Sequence, residues 1–87
     1  NNQTITILDT QLYTVEDALI TLKNFFKDTK DWKDLLDFIP NNLRNKFERK
    51  SALASHFVAS LELVKEGSLQ LRQDNLNGKV LLHSKIN

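Results

Sequence analysis

The sequence predicts a small α+β domain. Apolar residues recur at helical spacing between residues 15 and 66, and beyond Gly67 the period falls to two on either side of Asn77-Gly78. The length of 87 residues fits one domain around one core, with no internal repeat or linker, so 1–87 reads as a single domain.

Each element follows from its residues. The run TITIL over 4–8 alternates and is rich in β-branched side chains, which predicts a short strand with Ile5 and Ile7 on one face. Thr14 precedes an amphipathic stretch, with Asp17 three residues on, so a helix with a capping-box-like start is expected from about Val15 to Thr29. Its buried stripe is Val15, Ala18, Leu19, Leu22, Phe25 and Phe26. The segment DWKDLLDFIP predicts a short second helix with Trp32, Leu35, Leu36 and Ile39 inward, stopped by Pro40. A long third helix follows to Glu66 and is capped by Gly67; its start is open between Leu43 and Ser51. Leu53, Phe57, Leu61 and Val64 form its expected core stripe, widened by Ala54 and Val58. In the hairpin, Leu69, Leu71 and Gln73 share one face of the first strand, while Val80 and Leu82 oppose Leu81 on the second.

Strand, helix, short helix, long helix and hairpin in that order describe a winged helix. Three helices make its core, and the N-terminal strand joins the C-terminal hairpin wing in a small antiparallel sheet, because an isolated hairpin is marginal in water.

Composition narrows the chemistry. With 40% apolar and 26% charged residues the chain is that of an ordinary globular domain. No apolar run is long enough for a membrane span, and a cytoplasmic location is expected. Cysteine is absent, which removes disulfides, thiolate nucleophiles and cysteine-held zinc. The chain opens Asn1-Asn2 and holds no methionine, and is expected to be a piece of a longer protein. His56 and His83 lack a nucleophile elbow or an orienting acid, so no catalytic residue is assigned. Asp28, Asp31, Asp34 and Asp37 recur every third residue among lysines without the glycine and final Glu of a calcium loop, and read as a solvated face with one or two helix caps. Two glycines, one a cap and one a turn, leave none for a phosphate loop. No cofactor or metal is expected, and the chain reads as a non-enzyme.

The stretch FVASLELVKEGSLQLRQ resembles the signature of the bacterial kleisins, the segregation and condensation protein A family. In that pattern a Phe-Leu-Ala-Leu-Leu-Glu-Leu helix precedes a basic residue, a turn, an alternating strand and a Gln. Phe57, Ala59, Leu61, Glu62, Leu63, Lys65 and Gln73 match it position by position. The preceding amphipathic helix and Trp-containing segment ending Phe-Ile-Pro are similar to the same family. Ser60 departs from a usual Leu, and Leu76, Asn77-Gly78 and Val80 stand near places where the family has Phe, Gly-Asp or Asp-Asp, and Ile.

The resemblance implies a C-terminal winged-helix domain that docks on the head of an SMC ATPase in chromosome condensation and segregation. It further implies association with the nucleoid and only indirect contact with DNA. The segregation and condensation protein B dimer would bind kleisin segments outside these residues. The expected contact residues are Glu62, Leu63, Lys65, Leu69, Leu71, Gln73, Leu76, Val80 and Leu82, an apolar patch with Glu62, Lys65 and Gln73 on its rim. Leu63 lies off the core stripe and belongs either to a second buried face or, with Leu81, to an apolar surface beyond the core. Some wing residues must pack on the helices, and the sequence does not sort them.

The rival is a DNA-binding winged-helix regulator. Net charge is +1, but residues 1–41 hold four Lys against seven acids, and 42–87 hold eight Lys and Arg against four. Arg44, Lys46, Arg49 and Lys50 precede or open the third helix, and Arg72, Lys79 and Lys85 decorate the wing, where phosphates would lie. Against it, the body of that helix carries Glu62, Glu66 and apolar residues where a groove reader needs Arg, Asn or Gln.

Overall fold

The computed structural model describes residues 13–43 and 45–85. The strand expected over 4–8 and Arg44 of the basic cluster lie outside them. The described residues form an α+β unit of two α-helices, a short 3₁₀ helix and a three-stranded antiparallel sheet.

Helix α1 spans Val15–Phe26. Its start is a capping box: the Asp17 amide donates to Thr14 Oγ1 at 3.0 Å, and the Thr14 amide donates to Asp17 Oδ2 at 3.3 Å. Ala18, Leu22 and Phe26 are buried, and Val15, Leu19 and Phe25 pack beside them, as the helical spacing predicts. The chain entering α1 is tied to the long helix. Tyr13 donates its amide to Ser51 Oγ at 3.2 Å and accepts from Ser55 Oγ at 2.5 Å.

The segment expected to form the second α-helix divides into strand β1 (Lys33–Asp34) and a 3₁₀ helix (Leu35–Phe38). Pairing of β1 with the wing uses residues that a helix would need. Pro40 forces Ile39 into an extended conformation (φ −91°, ψ 120°), which leaves room for a single tight turn. The inward set changes with it. Leu35 and Ile39 are buried, but Trp32 and Leu36 are exposed, against the α-helical expectation. Phe38 packs instead, edge-on to Phe25 with ring centres 5.0 Å apart. Asp34 caps this turn, its Oδ1 accepting from the Leu36 amide at 2.9 Å, so one of the periodic aspartates is a cap.

Helix α2 spans Lys46–Lys65 and opens on Asn45, whose Oδ1 accepts from the Glu48 amide at 2.9 Å. That cap decides the start the sequence leaves open. Its end is a Schellman motif: Ser68 donates to the Leu63 carbonyl at 2.9 Å and Gly67 to that of Val64 at 3.0 Å, with Gly67 at φ 86°.

The buried face of α2 is not the expected one, although Val64 of the expected stripe does pack against the core. Ala52, Ser55, His56, Ala59, Ser60 and Leu63 face inward, while Leu53, Phe57, Val58 and Leu61 are exposed. The inward residues are mostly small, and small side chains let α2 approach α1 closely at native packing density. Ser60 Oγ donates to the His56 carbonyl and His56 Nδ1 lies 2.7 Å from the Ala52 carbonyl, so these two groups are met within the helix, while His56 Nε2 is buried with no hydrogen-bond partner among the described residues.

Strands β2 (Leu69–Arg72) and β3 (Leu81–Ser84) form the hairpin, and β3 is central in the order β1-β3-β2. Leu71 pairs with Leu82 and Leu69 with Ser84 on the core side, while Arg72 pairs with Leu81 and Gln70 with His83 on the open side. The third strand among the described residues is β1, with Lys33 opposite Leu82 and Asp34 opposite Leu81. The loop over 73–80 holds a β-turn in which Gly78 donates to the Asn75 carbonyl at 2.9 Å. Asn77-Gly78 thus closes the turn instead of forming its two central residues.

Candidate docking surface

The expected contact residues separate into three groups. Leu63, Leu69 and Leu82 are core, at 1%, 3% and 0% exposure, which overturns their assignment to a contact patch. They line up behind Leu22 and Phe26 of α1, and burying a Leu fully is worth roughly 1.5–3 kcal/mol, which a domain of this size needs for its own fold. Leu71 and Val80 are partly buried and pack against that core. Glu62, Lys65, Gln73 and Leu76 are exposed. Leu76, at 94%, stands at the wing tip, where Gln73 Nε2 donates to the carbonyls of Gly78 at 3.0 Å and Leu76 at 3.3 Å. Leu81 is on the open face of the sheet, so it shares no surface with Leu63.

The apolar surface that the core leaves over is the outward side of α2. Leu53, Phe57, Val58 and Leu61 recur there at three- and four-residue spacing and are 39% to 45% exposed. Their distribution follows from a helix apolar on two sides, only one of which meets α1. A groove of about 370 Å³ runs along this side, lined by Leu35, Lys50, Leu53, Ala54, Phe57 and Val80. A second, of about 220 Å³, continues it toward the 3₁₀ helix between Leu36, Ile39, Lys46, Arg49, Lys50 and Leu53. Lys50 and Leu53 are shared by both. The sequence pattern marks Leu53, Phe57 and Leu61 but assigns them to the core; their larger size beside the Ala and Ser of the other face is the signal that distinguishes the two.

A separate constellation occupies the open face of the sheet. Trp32 lies 4.9 Å from the His83 ring, the Arg72 guanidinium sits 4.8 Å over the indole, and Arg72 Nε approaches Asp74 Oδ1 at 3.6 Å. It is a stacked polar cluster that covers the exposed side of the hairpin.

Among the described residues no group of three or more His, Asp or Glu is placed to hold a metal ion, and no helix is long and apolar enough to cross a membrane. No protein-family model matches the chain, and no curated protein matches it in sequence.

Proposed function

We propose that this chain is the C-terminal winged-helix domain of a bacterial kleisin and serves, without catalysis of its own, as a docking module for the head of an SMC ATPase. The helix, 3₁₀ turn, long helix and three-stranded wing are compatible with a winged helix in which the turn stands in the place of the second helix. The residue pattern from Phe57 to Gln73 supports the kleisin assignment. The observation that carries docking is the exposed row Leu53, Phe57 and Leu61 on α2, a contiguous apolar surface of the kind that marks a protein contact. Association with the nucleoid through the SMC complex follows from the same reading, as does attachment of the segregation and condensation protein B dimer elsewhere on the kleisin.

A DNA-binding regulator is the second reading, and the cations at the start of α2 favour it. The apolar row beside them disfavours it, because a duplex offers phosphates and base edges, not a surface that buries Phe and Leu. Calorimetric titration of the chain against a purified SMC head, and against duplex DNA over a salt series, separates the two. Saturable binding to the head with at most weak, salt-sensitive DNA binding is the expected result. A tight sequence-selective DNA complex with no binding to the head would replace the docking reading with the regulator.

A further inference from the structure

Charge and shape on the outward side of α2 specify what fits there. Lys46, Lys50 and Lys65 lie within the exposed apolar arc; Arg49 lies on one flank and lines a groove, and the exposed Glu62 lies on the other flank and lines neither groove. Glu48, the acid in the first turn, is 2% exposed and so removed from that surface. Neither groove has a carboxylate among its described lining residues. No ion pair or side-chain hydrogen bond engages Lys46, Arg49 or Lys50 among the described residues. Their position also works against the helix, since cations near an N-terminus oppose the macrodipole. A cluster unfavourable to its own helix and unpaired among the described residues is available to a partner.

We propose that the two connected grooves receive an acidic amphipathic helix of the partner protein. Its apolar anchors would pack between Leu36, Leu53, Phe57 and Val80, and its carboxylates would meet Lys46, Arg49 and Lys50. A row of apolar contacts at one-turn spacing with a charged rim is the helix-in-groove mode. The rim cations steer the approach and fix the orientation, and the apolar floor supplies the area. This names the chemistry of the contact in the docking reading, and rests on that reading only in so far as the helix belongs to an SMC head.

The test uses the whole chain and three labelled probes read by fluorescence anisotropy. The first is a synthetic helix of about 18 residues with Leu at four-residue spacing and Glu elsewhere, the second its counterpart with Lys for Glu, and the third a DNA duplex. A purified SMC head is titrated in parallel. The acidic helix should bind, with an affinity that falls as salt rises, and the lysine helix should not. The double variant Lys46→Glu, Lys50→Glu should weaken the acidic helix at least about tenfold and gain affinity for the lysine helix. Its melting temperature should hold or rise, because Glu at the first helical position suits the dipole. Phe57→Ser should abolish binding of the acidic helix. Equal binding of both helices, or binding of the duplex alone, overturns the proposal. Head binding indifferent to the double variant overturns it too, while leaving the docking function in place. An SMC head that does not bind, beside an acidic helix that does, removes the SMC partner and upholds the groove.

Discussion

Leu61 and Leu63, two residues apart in α2, face opposite ways: Leu61 is 45% exposed and Leu63 is 1% exposed. Two steps of about 100° place them across the helix from one another, so a single rotation of the assumed core face exchanges their roles. Leu63→Ala should therefore destabilise the domain by about 2–5 kcal/mol, a large part of the ~5 kcal/mol that a domain of this size has. Leu61→Ala should change stability by no more than about 0.5 kcal/mol. Urea denaturation of both variants checks the pair, and equal midpoints would place the core on the wrong side of α2.

Binding should show the reverse order. Leu53→Ala, Phe57→Ala and Leu61→Ala should each weaken association with an SMC head, Phe57 most, by at least about tenfold or 1.4 kcal/mol. Their melting temperatures should stay near that of the parent. A folded Phe57→Ala protein with parental affinity would remove this side of α2 from the docking model.

Gly67 ends α2 at φ 86°, and a Cβ built there meets no atom within 4 Å, so the cost of a side chain is entirely one of backbone conformation. Gly67→Ala should lower stability by roughly 1 kcal/mol, and Gly67→Asn by less, since Asn visits the left-handed region more readily. Thermal melts of the two variants read the difference, and equal losses would point to a steric cause.

Trp32 is the sole tryptophan and lies beneath Arg72 and beside His83. Arg72→Ala should uncover the indole and move its emission to longer wavelength, at a cost of about 0.5–1 kcal/mol in stability. An unchanged emission spectrum would mean that the guanidinium does not rest on the ring in solution.

Local chemistry was legible from the sequence wherever neighbours in the chain decide it. The Thr14–Asp17 cap, the stripe of α1, the Gly67 stop and the alternation of both wing strands depend on residues a few positions apart, and the structure contains each of them. Asn45 as the start of α2 was equally local, but Lys46 to Lys50 carry no apolar period strong enough to show it. What tertiary structure alone decided was which side of α2 meets α1. Apolar residues occupy both sides, so the periodicity offers two stripes, and the larger Leu and Phe side chains favour the wrong one. Close packing against α1 selects the smaller Ala and Ser stripe ending in Leu63. The same contact turns Leu53, Phe57 and Leu61 outward, and so moves the candidate site from the residues the sequence proposed to those it had placed in the core. The division of 31–40 between a strand and a 3₁₀ turn was likewise beyond a local reading, because Lys33 and Asp34 are extended through pairing with Leu82 and Leu81, nearly fifty residues away. Sequence specifies what each segment prefers; the choice among equivalent faces and partners is made by the one arrangement that buries Leu22, Leu63 and Leu82 together.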